Sequence, residues 1–185
     1  MIKTSRRVQV EGRDVVVFDD LITAAESGRY AVALAHAAFT KTESARPESV
    51  HLRHWVCEMP LDNLPNLSLW SATSAALREM RPTESYRPYR CYTNFASFGD
   101  VLLTHVDALP DRRELTALWY LCEQWDPEWG GETLFFDDAN DAQVAVAPKP
   151  GRLVIFDGAI RHAGRPPNRN CFIGRYTFAI KLRQG

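Results

Sequence analysis

Several features that would place a chain in one of the large protein classes are missing from this sequence. No apolar run reaches about 18 residues, and no basic start leads into an apolar core, so we expect neither a membrane span nor a secretory signal. Positive charge is not in excess, because the formal net charge is −1, and nucleic acid is not expected as a partner. The chain is therefore predicted to be cytoplasmic.

Cysteine is scarce and scattered. The four cysteines form no C-x-x-C pair, and such pairs are typical of zinc sites and redox motifs. This pattern favours reduced thiols that pack as small apolar residues, in agreement with a cytoplasmic location. Disulfides and structural zinc are not expected.

The 185 residues, of which 45% are hydrophobic, suffice for one compact domain with a sizeable core. We assign residues 1–185 to a single domain whose pattern changes near residue 86. Residues 1–85 show helical support and flanking strands, whereas residues 86–185 show strand after strand between Pro, Gly and Asp turns. The first part is predicted to contain strands at Asp14–Phe18 and His54–Glu58, a helix at Leu21–Phe39 after an Asp19-Asp20 cap, and a helix at Leu69–Met80.

Helices followed by strands, without a repeat or a linker, predict an α+β domain that is mainly β. The strand-rich part is expected to form a β-sandwich or barrel, buttressed by the N-terminal helices. All the candidate functional residues lie in that part.

Three residues of the strand-rich part form a ligand pattern for a metal. His105 and Asp107 are separated by one residue; on a strand, both side chains would point to the same face and could reach one ion. His162 follows a β-rich run and a turn, at the end of a strand, which suits a rigidly held ligand. Two imidazoles and one carboxylate leave one face of an iron open, as non-haem Fe(II) oxygenases require. A His-x-Asp triplet by itself is weak evidence for a metal site, so the assignment depends on the predicted strands and turns around these residues.

Side-chain alternation on the last predicted strand separates packing from chemistry. The large apolar residues from Phe178 to Leu182 share one face, whereas Arg175, Thr177 and the small Ala179 share the other. The planar fork of a guanidinium suits a carboxylate, so Arg175 is a candidate clamp for a dicarboxylate, with Thr177 as a candidate cofactor contact beside it. A solvent-exposed strand arginine is the alternative.

Four pieces of the sequence together resemble the Fe(II)/2-oxoglutarate-dependent dioxygenases, and most closely their prolyl 4-hydroxylase-like branch. The resemblance extends from about Tyr89 to Arg183. The pieces are Arg90–Asn94 before His105 and Asp107, Trp119–Leu121 followed by Trp125–Glu132, Pro150–Phe156 leading to His162, and Gly174–Tyr176 around Arg175.

The resemblance implies a double-stranded β-helix, the jelly-roll core also found in cupins, for residues 86–185. It implies His105, Asp107 and His162 as iron ligands and catalytic residues. It also implies Arg175 as the partner of the C5 carboxylate of 2-oxoglutarate, with the Tyr120 hydroxyl sharing that carboxylate. Fe(II), 2-oxoglutarate and O2 are the implied cofactor and co-substrates, and stimulation by ascorbate is left open.

Two residues of the strand before His105 have a functional and a structural interpretation. Tyr92 and Asn94 share one face of that strand, so both are candidate contacts of the co-substrate or substrate. The alternatives are core packing for Tyr92 and a strand-end hydrogen bond for Asn94.

Other charged residues are less defined by the pattern. Arg165 and Arg169 lie in the loop before Arg175 and are rival clamps for the carboxylate. Lys181 stands where the prolyl branch often has an aromatic residue, and its role is open. The remaining histidines lack ligand spacing, and surface or core roles are expected for them: His36, His51 and His54.

The implied function is hydroxylation of an unactivated C–H bond of a small molecule, such as an amino acid or a natural-product intermediate, with succinate and CO2 as co-products. Asp107 argues against halogenation, because halogenating relatives have lost this carboxylate. The alternatives are a peptidyl, prolyl-type hydroxylase; a desaturase, cyclase or epimerase on the same iron site; and a catalytically silent jelly-roll that binds a ligand. The oligomeric state is left open.

Overall fold

The computed structural model describes residues 4–185 and consists mainly of antiparallel strands, which confirms the expected mainly β, α+β fold. Its helices are α1 (Ala24–Ala35) and α2 (Ser68–Met80), with 3₁₀ helices at Pro47–Ser49, Leu61–Asn66 and Pro127–Trp129. Its strands are β1 (Arg6–Val10), β2 (Arg13–Phe18), β3 (Thr40–Glu43), β4 (His54–Met59), β5 (Tyr86–Ala96), β6 (Glu114–Leu121), β7 (Thr133–Phe136), β8 (Ala142–Val146), β9 (Leu153–Asp157), β10 (Arg161–Gly164) and β11 (Arg175–Gln184). Within residues 4–185, no helix is both long enough and apolar enough to cross a membrane.

The strands form two sheets. The large sheet has eight strands in the order β1-β2-β9-β6-β11-β5-β4-β3, and the small sheet has three in the order β10-β7-β8. The four N-terminal strands extend the large sheet at both edges, because β2 pairs with β9 and β4 pairs with β5. The flanking strands of residues 1–85 thus belong to the same sheet as the predicted core. The assignment of residues 1–185 to one domain stays a prediction.

Alternation along the central strands of the large sheet sends side chains into two cores. Trp119 and Ile180 lie on the face covered by the helices, where Leu69 of α2 packs against them. Tyr120 lies on the opposite face, in a cluster with Phe135 of the small sheet. Full burial of side chains of this size stabilises the fold by about 1.5–3 kcal/mol each. Both faces of the large sheet are therefore covered, and its inner face meets the small sheet.

Helix α1 is shorter than the predicted Leu21–Phe39. It begins after Thr23, whose side chain accepts a hydrogen bond from the N–H of Glu26 over 3.1 Å and caps the helix. The predicted Asp19-Asp20 cap is wrong, because the Asp19 carboxylate instead accepts hydrogen bonds from the Arg152 guanidinium at 2.7 and 2.9 Å. A hydroxyl cap close to the first turn thus sets the start of this helix.

The segment that carries His105 and Asp107 is not a strand, contrary to the prediction. Residues 97–104 have turn and irregular backbone, and His105 forms an isolated antiparallel bridge with His162, with reciprocal backbone hydrogen bonds of 2.9 Å. The N–H of Asp107 donates to the carbonyl of Gly158 over 2.8 Å. His162 itself lies near the start of β10 and not at the end of a strand. These bonds hold the irregular segment in place as a strand partner would.

Candidate metal centre and its cavity

Three ligand-type side chains converge where the irregular segment meets β10. One ligand atom from each of His105, Asp107 and His162 lies within 4.8 Å of the others. Asp107 Oδ1 is 3.5 Å from His105 Nε2, and Asp107 Oδ2 is 3.6 Å from His162 Nε2. The backbone bridge between the two histidines places both rings on the same side, with their centroids 4.5 Å apart. The arrangement offers two nitrogens and one oxygen to a single ion.

Both imidazoles are oriented by backbone carbonyls. Nδ1 of His105 lies 3.0 Å from the carbonyl oxygen of Leu103, and Nδ1 of His162 lies 2.9 Å from that of Ile160. A carbonyl accepts only, so each Nδ1 carries the proton and each Nε2 keeps a free lone pair. Burial lowers the pKa of His162 to about 4, which keeps this ring neutral at physiological pH. Neutral rings with a free Nε2 are suited to metal coordination.

The carboxylate of Asp107 is buried and ionised. Burial alone would raise the pKa of Asp107, but the charge of Lys181 outweighs it and holds the pKa well below its usual value. Thr116 donates a hydrogen bond to Asp107 Oδ2 over 2.6 Å, and the ammonium of Lys181 contacts the same oxygen. Asp107 in turn raises the pKa of Lys181, against the effect of burial. The anionic ligand therefore has a fixed orientation and a cationic neighbour.

A cavity of about 250 Å³ opens above the three ligands, between the two sheets. Its wall is formed by inward-facing residues of β5 and β11, which pair with each other in antiparallel register. The polar and charged lining residues other than the three ligands are Glu43, Ser44, His54, Tyr89, Arg90, Tyr92, Asn94, Thr116, Thr133, Arg175, Thr177 and Lys181. The cavity thus joins the metal ligands and the predicted clamp in one space.

Arg175 is a buried cation of this cavity, with 3% of its surface exposed. Its Nε donates to the carbonyl of Gly131 over 2.6 Å, and its Nη2 donates to Thr133 Oγ1 over 3.1 Å. Its Nη1 lies at the outer limit of hydrogen bonding, 3.5 Å from Thr177 Oγ1. Among residues 4–185, no carboxylate lies within ion-pair distance of the Arg175 guanidinium, and burial lowers its pKa. A buried cation with neutral partners requires an anion from elsewhere.

Gly131 permits this arrangement through its backbone. Its φ of +82° is one that side chains other than glycine rarely adopt, and an added Cβ would lie 2.8 Å from the Trp125 ring and 3.3 Å from Arg175. The carbonyl of Gly131 can therefore turn towards the Arg175 Nε. Gly131 thus allows the backbone to approach the Trp125 and Arg175 side chains closely.

The other predicted cofactor contacts occupy different positions around this cavity. Tyr92, Asn94 and Thr177 line it, and Asn94 Oδ1 is a buried atom with no hydrogen-bond partner among the described residues. Tyr120 lies behind the wall and is not among the lining residues. Its hydroxyl is 2.6 Å from Thr133 Oγ1 and 3.0 Å from the carbonyl oxygen of Val146.

The rival clamps and the unassigned histidines differ in whether they line the cavity or are exposed. Arg165 and Arg169 are exposed and do not line the cavity, in contrast to Arg175. His36 and His51 are exposed, as expected. His54 instead lines the cavity, and burial lowers its pKa.

Thr116 and Thr133 were not predicted from the sequence as site residues, and the role of Lys181 was left open. Each of the three hydrogen-bonds to a predicted site residue. Their only signal in the sequence is position: Lys181 shares the face of Arg175 by alternation on the last strand, and Thr116 pairs with Lys181 across β6 and β11. The pairing of Thr116 with Lys181 can be known only from the order of the strands in the sheet, which local sequence patterns do not reveal.

A protein-family model described as the 2OG-Fe(II) oxygenase superfamily matches residues 90–181. This range begins on β5 and ends on β11, and it contains the three ligand residues and Arg175. No curated protein matches the chain in sequence.

Solved structures share the fold over most of the chain. A prolyl-4-hydroxylase from Pseudomonas putida matches with a TM-score of 0.68 and 17% identity, over 92% of this chain and 92% of its own. A prolyl hydroxylase from Trichoplax adhaerens, in complex with a peptide fragment of hypoxia inducible factor, matches with a TM-score of 0.65 and 18% identity, over 92% and 82%. SnoN, an alpha ketoglutarate dependent epimerase from nogalamycin biosynthesis, matches with a TM-score of 0.68 and 15% identity, over 91% and 76%. At these identities, the likeness concerns the fold, and the reaction has to be argued from the site.

Proposed function

We propose, from the premise that this chain belongs to the 2OG-Fe(II) oxygenase superfamily, that it hydroxylates an unactivated C–H bond of a small molecule. Fe(II), 2-oxoglutarate and O2 are the cofactor and co-substrates of this superfamily. Succinate and CO2 are the proposed co-products.

The observation that carries the proposal is the unpaired guanidinium of Arg175 in the same cavity as the three ligands. A charge buried to 3% exposure without a counter-ion is costly, and among the described residues its partners are neutral acceptors only. The C5 carboxylate of 2-oxoglutarate would supply the missing anion as a bidentate partner. The keto-acid end of the same molecule would then extend towards the ligands.

The donor set fits Fe(II). Two neutral imidazoles with free Nε2 atoms and one ionised carboxylate are the ligand set of non-haem iron oxygenases. We propose His105, Asp107 and His162 as the residues that hold the ion. When bound, iron supplies the activation of O2 and couples it to the oxidation of 2-oxoglutarate and substrate.

The residues of the chain would bind, orient and shield the reactants. Arg175 would fix one end of 2-oxoglutarate. The Arg175 side chain is itself held in place by its hydrogen bonds to Thr133 and the Gly131 carbonyl. Tyr92, Asn94 and Thr177 line the same space and are proposed to contact the co-substrate or the substrate. The apolar Leu118 and Phe156 of the wall would exclude water from the reacting atoms.

The size of the cavity favours a compact substrate group. At about 250 Å³, it lies below the usual range of roughly 300–1,000 Å³ for small-molecule sites. Part of this volume would be taken by 2-oxoglutarate itself. A single compact group, which in our proposal belongs to a free small molecule, therefore fits beside the ligands.

The proposal is tested by succinate release. Purified protein with Fe(II), 2-oxoglutarate and pooled amino acids and natural-product intermediates is expected to release succinate above the background without substrate. A peptide pool containing proline is run in parallel, and stimulation by peptides alone would replace the small-molecule proposal with peptidyl hydroxylation. Failure to bind 2-oxoglutarate at all would leave only a ligand-binding role.

A further inference from the structure

Lys181 belongs to a group of three hydrogen-bonded side chains, together with Thr116 and the proposed ligand Asp107. Its side chain is buried, with 9% exposed, and its ammonium contacts Asp107 Oδ2. The ammonium also donates to Thr116 Oγ1 over 3.2 Å, while the Thr116 hydroxyl donates to the same Asp107 Oδ2 over 2.6 Å. Lys181 and Thr116 face each other across β11 and β6, so the sheet register sets this contact.

The two oxygens of Asp107 are therefore unequal. Oδ2 receives both donors, which occupy the two lone pairs of a carboxylate oxygen. Oδ1 has no hydrogen-bond donor among the described residues, and it lies 3.5 Å from His105 Nε2, the ring nitrogen that carries no proton. Oδ2 lies 3.6 Å from His162 Nε2, but its lone pairs are engaged, so Oδ1 is the oxygen whose lone pairs are free for an ion held by the imidazoles.

We propose that Lys181, together with Thr116, is a positioning residue that restricts Asp107 to one-oxygen coordination. This inference rests on the proposed iron site. A carboxylate that bound through both oxygens would take up one more position on the ion, and 2-oxoglutarate and O2 need these positions. Lys181 also competes with the ion for the negative charge of Asp107. It therefore lowers the metal affinity but keeps a coordination position on the ion open.

The proposal differs in its consequences from simple neutralisation of a buried charge. If Lys181 only compensates Asp107, its removal destabilises the protein but leaves the number of waters on the bound ion and the affinity for 2-oxoglutarate unchanged. If Lys181 restricts the carboxylate, its removal lowers both. Metal affinity is equal or higher in either case, because Lys181 no longer competes for the charge of Asp107.

The test compares Lys181→Met, which keeps the length of the side chain without its charge, with Lys181→Arg and with Lys149→Met as a control. Lys149 is exposed and lies outside the cavity. Mn(II) affinity is titrated anaerobically, and water-proton relaxation counts the waters on the bound ion. Titration with 2-oxoglutarate follows on the Mn(II)-loaded protein.

For Lys181→Met, we expect Mn(II) affinity equal to or above that of the wild type, fewer waters on the ion, and 2-oxoglutarate affinity lower by at least about 10-fold. Lys181→Arg should restore most of the difference, and Lys149→Met should behave as the wild type. An unchanged water count together with unchanged 2-oxoglutarate affinity would overturn the proposal.

Thr116→Val removes the second donor without removing a charge, and it decides the matter if Lys181→Met fails to fold. It should lower the water count and the 2-oxoglutarate affinity in the same direction with a smaller amplitude, and unchanged values of both would overturn the proposal. If the wild-type protein binds Mn(II) but not 2-oxoglutarate, the proposed function fails, while the water count still tests Lys181.

Discussion

The guanidinium of Arg175 lies over the ring of Tyr120, with its central carbon 5.4 Å from the ring centroid. Thr133 Oγ1 joins the two residues, because it accepts from Arg175 Nη2 over 3.1 Å and lies 2.6 Å from the Tyr120 hydroxyl. The hydroxyl of Tyr120 is thus engaged behind the wall. Its aromatic face supports the arginine that we propose to bind the co-substrate.

Tyr120→Phe is therefore expected to affect stability more than co-substrate binding. A neutral hydroxyl contributes about 0.5–1.5 kcal/mol, so the free energy of unfolding should fall by about this amount, with less than about a 10-fold change in 2-oxoglutarate affinity. Denaturant unfolding and calorimetric titration measure the two. Tyr30→Phe, which removes a hydroxyl 2.9 Å from Ser68 Oγ, is the control. A large loss of affinity at unchanged stability would mean that the Tyr120 hydroxyl contacts the carboxylate.

Arg175→Ala should weaken 2-oxoglutarate binding by about 10- to 150-fold, because a charge-assisted contact contributes about 1.5–3 kcal/mol. Arg175→Lys keeps the charge but loses the fork, and an intermediate affinity is expected. Arg169→Ala is the matched control, since this arginine is exposed and outside the cavity. Titration of the Fe(II)-loaded protein without O2 gives the constants. A larger effect of Arg169→Ala would move the clamp to the loop.

His162→Ala should lower Fe(II) affinity by at least about 10-fold, since even losses outside the ligand set cost about that much. The neutral ring is held by the Ile160 carbonyl, and among residues 4–185 no fourth ligand-type side chain belongs to the cluster of His162. Anaerobic metal titration is the measurement. His36→Ala, at an exposed position beyond α1, should bind as the wild type does. Full metal affinity and activity in His162→Ala would refute the ligand assignment.

Product analysis under ¹⁸O2 in chloride buffer tests the reaction type. Because Asp107 occupies the position that a halide would need, we expect an oxygen-labelled product, or one that has lost two hydrogens, and no chlorinated product. Asp107→Gly should abolish most of the hydroxylation, and Asp107→Glu should lose activity on the order of 10²-fold through displacement of the carboxylate. A product with neither label nor loss of hydrogen would point to isomerisation.

The stability of the protein should fall in acid through Asp14. Hydrogen bonds from Arg7, at 2.7 and 3.1 Å, and an ion pair with Arg81 at 2.7 Å outweigh burial and lower the pKa of Asp14 from 3.8 to about 2. The folded state thus binds this proton more weakly than the unfolded state. The contribution is present above about pH 4 and is lost as the pH falls towards about 2.

Urea unfolding at several pH values tests this linkage. The difference in unfolding free energy between the wild type and Asp14→Asn should shrink as the pH falls from about 6 to about 2. Asp111→Asn, at an exposed position, should show no such trend. A difference that stays constant with pH would contradict the role of Asp14.

Local sequence patterns correctly predicted the helices and strands whose boundaries depend on residues within the element itself. The strand at Asp14–Phe18 and the helix at Leu69–Met80 agree with β2 and α2 within a residue. The alternation on β11 correctly separated Phe178, on the helix-covered face, from Arg175, which lines the cavity. Such patterns work because side-chain direction follows directly from the helical or strand period.

The tertiary structure decided what depends on contacts between distant residues. His105 and Asp107 share a site through backbone bonds to His162 and Gly158, and not through a strand of their own. By itself, the sequence determined the residue types of a metal site and a carboxylate clamp, in a mainly β chain. Only the packing of two sheets decided that Tyr120 supports Arg175 from behind and that Lys181 meets Asp107. The physical reason is that burial and electrostatic pairing are set by neighbours in space, which separations of tens of residues along the chain do not reveal.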